Sequence, residues 1–226
     1  MKNVADQRYL SIKSTPDGSY TIYNSELNEK YHSEFGAQTE SNYVYIKQGL
    51  SIIQKKVIHV FEMGFGTGLN AYLAWTYAQE YNKIVHFISI EKFPVSVDFL
   101  PVPSFIDNRM DSVTAWNNIQ QAAWNSTRNV DNSFILTKLN VDIAEFEHYS
   151  TYDIIFYDAF APSVQPELWT PVIFKALHSR LNPEGILVTY SSAGIVKRAL
   201  ISAGFTLQRL PGPPGKKHML RAIKNR

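Results

Sequence analysis

The sequence predicts an α/β fold: a mostly parallel sheet covered by helices, closed by a terminal antiparallel hairpin and preceded by a small N-terminal β appendage. Three observations carry that prediction. From Val57 onward, short apolar runs alternate with stretches of helical period, the pattern of strand–helix–strand units. The first of these runs ends in "EMGFGTGLN", where Gly64, Gly66 and Gly68 let the backbone turn tightly against a ligand and open a helix. The last two apolar runs are joined by "PGPPG" (Pro211 to Gly215) instead of a helix, which makes them a hairpin.

The elements follow in order. "DGSYTIYNSE" has a Gly turn and then Tyr20, Ile22 and Tyr23, a small β-hairpin, and "YHSEFGAQTESNYVYIKQGL" continues as a helix or extended connector. Residues 1–50 are therefore taken as an appendage on a main domain of residues 51–226. In that domain "VIHVF" is a buried strand and "LNAYLAWTYAQEY" a helix with Leu69, Tyr72, Leu73 and Tyr77 for its inner face. "KIVHFISIE" is the second strand, ending in Glu91. A helix is expected around Val113 to Trp124, between polar ends, with Trp116 and Trp124 as core residues. "FILTKLN" ahead of Asp142 and "YDIIFYD" ending in Asp158 are the third and fourth strands. "TPVIFKALHSRL" is a helix with Thr170 as N-cap and Pro171 at its first position. "GILVTYS" is the fifth strand, "AGIVKRALISAG" a helix closed by Gly204, and "FTLQRL" and "KHMLRAIK" the two arms of the hairpin.

Composition narrows the chemistry. The 226 residues contain no cysteine, which excludes disulfides, thiolate nucleophiles and Cys-ligated metal sites, and no metal is expected. The start lacks the apolar stretch of a secretory signal, and no run approaches the roughly 20 apolar residues of a membrane span, so the expectation is a soluble, cytoplasmic protein. Net charge is only +2, yet no Asp or Glu follows Glu184, whereas Lys197, Arg198, Arg209, Lys216, Lys217, Arg221, Lys224 and Arg226 do. A basic end of this kind suits a polyanion, or is simply a solvated face.

The glycine loop differs from the dinucleotide fingerprint, G-x-G-x-x-G: it reads E-x-G-x-G-x-G, with Glu62 ahead of Gly64, Gly66 and Gly68. Such a loop suits S-adenosylmethionine, whose amino-acid moiety carries an ammonium and a carboxylate in place of phosphates. Glu62 would act through water or backbone on the ammonium side. Glu91 is placed to accept from ribose hydroxyls, and Asp142 to reach the adenine amino group. Three acids at the ends of successive strands beside a glycine loop favour an adenosine cofactor. The terminal antiparallel hairpin tips the choice, by fold-level analogy, to the Rossmann-like class I S-adenosylmethionine-dependent methyltransferases.

Five segments carry a more specific resemblance: "FEMGFGTGLN", "HFISIEKFP", "YDAFAPSVQPELWTPVIF", "VTYSSAGIVKRALISAGF" and "GPPGKKHML". With "YHSEFGAQTES" ahead of the core, they resemble the tRNA 5-aminomethyluridine methyltransferases. This family occurs as the N-terminal half of a bifunctional wobble-uridine enzyme, MnmC, and as stand-alone MnmD-type proteins. Nothing in the chain matches the fused flavin-dependent oxidoreductase half. The resemblance implies methyl transfer to the primary amine of 5-aminomethyl-(2-thio)uridine at the tRNA wobble position, with the anticodon stem-loop as partner. It maps Gly64, Gly66 and Gly68 to the cofactor loop, Glu91 to the ribose, Asp142 to the adenine side and Asp158 to the reaction centre. Where the family commonly closes with Lys-Arg-Glu-Met, this chain has Lys216-Lys217-His218-Met219, which loses the forked guanidinium of Arg and an acid.

For the substrate, Tyr31, Lys197, Arg198, Lys216 and Lys217 are the candidates. Tyr31 and His32 suit a lid, although His32 reads first as a hydrogen-bonded surface residue. Phe160 or Trp169 is available to pack on a base, with Trp169 reading first as core. A small-molecule amine methyltransferase, or an aminopropyltransferase of the spermidine-synthase type, would share the loop and the acids.

Overall fold

The computed structural model describes residues 5–106, 110–147 and 150–225. Arg226, the last of the basic tail, lies outside them. Strands β1 (Leu10–Ser14), β2 (Tyr20–Asn24) and β3 (Glu29–Lys30) form a small antiparallel sheet. A helix, α1 (Ala37–Ser41), runs straight into a π-helical turn, Asn42–Lys47.

The main body follows as β4 (Val57–Met63), α2 (Leu69–Glu80), β5 (Ile84–Ile90), α3 (Met110–Gln121), β6 (Ser126–Asn129), β7 (Phe134–Leu139), β8 (Tyr152–Tyr157), α4 (Pro171–Arg180), β9 (Leu181–Thr189), α5 (Gly194–Ser202), β10 (Thr206–Pro211) and β11 (His218–Ile223). The strands form one eight-stranded sheet in the order β10-β11-β9-β8-β4-β5-β7-β6. Its five central members are parallel. The expected hairpin is present, and its second arm, β11, inserts between β9 and β10, antiparallel to both.

Alternation along the strands divides the core into two layers. Ile58, Val60, Val85, Phe87, Ile154 and Phe156 face α2, α3 and residues 37–50. Phe61, Ile90, Ile155 and Tyr157 face α4 and α5. Burial on both faces explains why β8 has no exposed residue, as expected of a central parallel strand. Helix α2 is buried well beyond its expected inner face, Ala71, Ala74, Trp75 and Ala78 included, because the sheet covers one side and α1 with its π turn the other. Thr170 caps α4 as expected, its hydroxyl accepting from the Ile173 amide at 3.5 Å.

Two elements depart from the sequence reading. Helix α3 ends before Trp124, and the polar stretch "STRN" is β6, an edge strand whose exposure left no apolar alternation to detect. Strand β9 starts four residues ahead of the apolar run at Gly185, across a bulge where Glu184 adopts φ +63°. Among the described residues no helix is long and apolar enough to cross a membrane, and no cluster of metal-ligating side chains is present.

Candidate active site

Strands β4, β5, β7 and β8 all end at the same edge of the sheet, and a cavity of about 780 Å³ opens there, within the usual size of a small-molecule site. The β4–α2 loop forms one wall. Its Gly64 and Phe65 amides donate to the Ile90 carbonyl at 3.0 and 3.2 Å, and the Gly66 amide to Glu91 Oε2 at 3.2 Å. Glycine is required at Gly64: φ is +93°, and a Cβ there would lie 2.7 Å from the Asp158 carbonyl oxygen. Glu91 Oε1 also accepts from the Phe93 amide at 3.0 Å. Burial pushes the Glu91 carboxyl up, while its backbone donors pull it back.

Asp158, just past β8, is the centre of the other wall. Its side chain is 7% exposed. Tyr45 Oη donates to Oδ1 at 2.7 Å and Asn70 Nδ2 to Oδ2 at 2.8 Å. Tyr45 comes from the π turn, an element whose irregular backbone often marks functional positions. Burial raises the Asp158 pKa to about 6; the Tyr45 and Asn70 hydrogen bonds, with Lys216, oppose the rise. His32 stands with Nδ1 4.0 Å from Asp158 Oδ2 and Nε2 3.2 Å from Thr67 Oγ1. Its side chain is 8% exposed and its pKa is depressed to about 4 by burial, so the imidazole is neutral. The sequence reading of His32 as a surface residue is corrected here: the segment that carries Tyr31 and His32 folds inward and places His32 beside Asp158.

The rim is built from ion pairs. Lys92 binds Asp142 at 2.6 Å, Arg8 binds Asp6 at 2.7 Å, and Lys30–Glu34 and Lys216–Glu40 are further pairs. Among the described residues each Lys and Arg lining the cavity thus has an acid partner, and the lining holds further acids besides, Glu26, Glu29, Glu91, Asp158 and Glu167. Lys216 also lies 4.0 Å from the Tyr190 ring centre, and Glu40 accepts from the Ser33 amide at 3.0 Å. Together these contacts tie the hairpin turn to the segment around Ser33.

The structure therefore brings Tyr31, Gly64, Gly66, Glu91, Asp142, Asp158 and Lys216 to one cavity. Tyr31 packs edge-on against Phe160, centroids 4.9 Å apart. It does not bring all candidates there. Glu62 lies beneath the loop, 0% exposed and outside the lining, because an inward-facing position on β4 cannot reach the cavity. Gly68 is the N-terminal boundary of α2, at φ +76°. Lys197 and Arg198 on α5 and Lys217 on the hairpin stand on the surface outside the lining. Trp116 and Trp169 are core residues; Trp169 Nε1 donates to the Phe160 carbonyl at 2.8 Å. The sequence reading missed Tyr45, Asn70, Glu40 and Tyr190. Only Asn70 carried a signal, its place directly after the glycine loop.

A mostly parallel sheet with β11 inserted, a glycine loop after β4 and acids at the next strand ends define a class I S-adenosylmethionine-dependent methyltransferase. The family model described as S-adenosyl-L-methionine-dependent methyltransferase matches residues 107–225, over half the chain, and the chain belongs to that family. The methyl donor is S-adenosylmethionine. Among curated proteins the chain is 31% identical over 215 residues to the "tRNA 5-methylaminomethyl-2-thiouridine biosynthesis bifunctional protein MnmC" of Paraburkholderia phymatum. It is 29% identical over 216 residues to the protein of that name from Burkholderia thailandensis. Both matches take in 88% of this chain and 33% of the relative, so the chain spans about a third of their length. Among solved structures, MNMC2 from Aquifex aeolicus superposes with TM-score 0.74 and 26% identity, over 94% of this chain and 69% of that one. Spermidine synthase from Thermotoga maritima shares the fold, with TM-score 0.57 and 14% identity over 96% of this chain and 69% of that one.

Proposed function

We propose that this chain methylates the primary amine of 5-aminomethyl-(2-thio)uridine at the wobble position of tRNA, giving 5-methylaminomethyl-(2-thio)uridine, in the cytoplasm. The observation that carries the reading is the Asp158 carboxylate, buried at the cavity wall and held by two neutral donors, next to the glycine loop. The name and the 31% identity of the Paraburkholderia relative supply the substrate class.

The residues present fit the cofactor. Gly64 and Gly66 leave backbone room, Glu91 would offer a carboxylate for the ribose hydroxyls, and Asp142, in the same lining, would serve the adenine amino group. An acid-dominated interior favours a ligand bearing a sulfonium and an ammonium. When bound, S-adenosylmethionine would supply an electrophilic methyl group, with the thioether of S-adenosylhomocysteine as the leaving group.

Asp158 acts on the acceptor. An alkyl ammonium entering the cavity meets the carboxylate, which accepts an N–H hydrogen bond, aims the nitrogen and takes the proton that the amine must lose. Positioning supplies more of the acceleration than proton transfer: effective molarities reach about 10⁵ M or more, against roughly 10²–10⁴-fold for a general base. His32 beside Asp158 is neutral and so adds no charge that would compete with the substrate ammonium for the carboxylate. Tyr31 and Phe160 offer ring surface for the uracil, and Lys197, Arg198 and Lys217 offer charge for phosphates outside the cavity.

The test is incubation of purified protein with labelled S-adenosylmethionine and tRNA carrying aminomethyl-uridine, followed by nucleoside mass analysis. A gain of one methyl on that nucleoside is expected; no gain, with cofactor binding intact, rejects the reading. The fold shared with spermidine synthase keeps a small amine as the second reading, since the same acids suit a free polyamine. Neutralising Lys197, Arg198 and Lys217 separates the two, because these cations lie outside the cavity and only the tRNA reaction then loses substrate affinity.

A further inference from the structure

A second carboxyl is buried behind Asp158 on the same face of the sheet. Glu62 and Ser89 stand opposite each other in the β4–β5 register, and Ser89 Oγ donates to Glu62 Oε2 at 2.5 Å. Asn70, at the start of α2, is 2% exposed and neighbours both carboxyls: it donates to Asp158 Oδ2 through Nδ2 and lies against Glu62. Two buried atoms of this cluster have no hydrogen-bond partner, Glu62 Oε1 and Asn70 Oδ1. With Glu62 ionised both are acceptors, and the cluster lacks a donor. Buried polar atoms left in that state are costly, and native interiors rarely keep them. One proton on Glu62 repairs the count. Oε2 goes on accepting from Ser89 as a carbonyl oxygen, and Oε1 becomes a hydroxyl able to donate, while Asn70 Oδ1 is the buried acceptor of the cluster that lacks a partner.

We propose that Glu62 is a neutral carboxylic acid in the working enzyme, and that its hydroxyl fixes the Asn70 carboxamide with Nδ2 aimed at Asp158. Glu62 is then a positioning residue for methyl transfer, acting through Asn70. The surroundings agree. The groups that act on Glu62 are Ser89 and Asn70, which favour ionisation, and Asp158 and Glu91, which oppose it; burial outweighs them all and pushes the carboxyl well up. Asp158 is faced by Tyr45, Asn70, His32, Tyr190 and Lys216, and of these Tyr45, Asn70 and Lys216 favour its ionisation against the effect of burial. Two carboxyls on one carboxamide thus divide their work: one keeps its proton and orients, the other gives its proton up. The functional part of this inference rests on the reading of Asp158 given above; the proton on Glu62 does not.

Infrared difference spectroscopy of the full chain, with carbon-13 glutamate as label, tests the proton directly. At pH 7 the wild type should show a label-sensitive protonated-carboxyl band that is missing from Glu62→Gln; no such band overturns the proposal. Kinetics test the positioning, once thermal unfolding shows each variant folded. Glu62→Leu should lower kcat by about ten- to a hundredfold and displace the acid limb of the pH profile. Glu62→Gln, whose amide N–H replaces the hydroxyl, should restore most of kcat and the wild-type midpoint. A Gln variant with its midpoint well below wild type overturns the proposal, since an ionised Glu62 would then have been holding Asp158 up. An acid limb that survives Asp158→Asn would instead defeat the reading of Asp158 and leave the infrared result standing.

Discussion

Asp142 and Asp158 are the same residue type, each placed just past a parallel strand of one sheet and each lining one cavity, yet they behave oppositely. Asp142 is only partly buried, paired with Lys92 at 2.6 Å and bonded to the Ala144 amide at 3.0 Å; burial raises its pKa, and the lysine and the amide more than offset the rise. Asp158 is sealed in and held by neutral donors, and burial wins, at about 6. The difference teaches that the strand end supplies only a location. The elements folded over it decide what the carboxylate does: an exposed lysine for Asp142, the π turn and α2 for Asp158.

The largest test removes one side of the contrast. Asp158→Asn should lower methyl transfer by roughly 10²–10⁴-fold, while calorimetric S-adenosylmethionine affinity stays within a few-fold; normal turnover would refute the assigned role. The same variant should be more stable than wild type at neutral pH. The folded pKa of Asp158 lies above its unfolded value of about 4, so the native state loses stability as pH rises from about 4 to 6 and stays penalised above that window. Replacing the acid removes up to ~3 kcal/mol of penalty, and thermal unfolding at pH 7.5 should show a raised Tm. An unchanged or lowered Tm would mean that the carboxylate is better compensated than its surroundings indicate.

Next in size is Glu91→Ala. Loss of hydrogen bonds to a charged acceptor, about 1.5–3 kcal/mol, should weaken cofactor affinity by about ten- to a hundredfold, with kcat at saturation little changed. An unaltered Kd would detach Glu91 from the cofactor. Tyr45→Phe sharpens the comparison from the other direction. The Tyr45 hydroxyl lowers the Asp158 pKa, so its removal should move the acid limb of the rate profile above pH 6. A midpoint that stays fixed would show that the π turn does not tune the carboxylate. The smallest effect belongs to Asp142: Lys92→Ala should let its carboxyl drift back up and change cofactor affinity by a few-fold at most, since half-exposed ion pairs contribute about 0–1 kcal/mol. A large loss in titration calorimetry would give the rim pair a role that its exposure does not suggest.

Much of the fold was legible because its signals are local. The glycine loop, the caps at Thr170 and Gly204, the apolar strand runs and the "PGPPG" turn each need only neighbours in sequence to be read. Edge strand β6 was not legible, because a strand with little to bury carries no alternation. The acids Glu91, Asp142 and Asp158 were legible as strand-end residues. What surrounds them was not: Tyr45 lies 113 positions from Asp158, and Lys216 lies 176 from Glu40.

By itself, then, the sequence determined the order and type of elements, the class of ligand and the identity of the acids, since hydrophobic period and turn chemistry act over a few residues. Only the tertiary structure decided that Glu62 turns inward while Asp158 faces the cavity. It decided as well that His32 leaves the surface, and that Lys216 comes inside while Lys217 stays out. Those outcomes depend on which distant segments exclude water from a given atom, and burial of that kind sets the charge of an acid more than its residue type does.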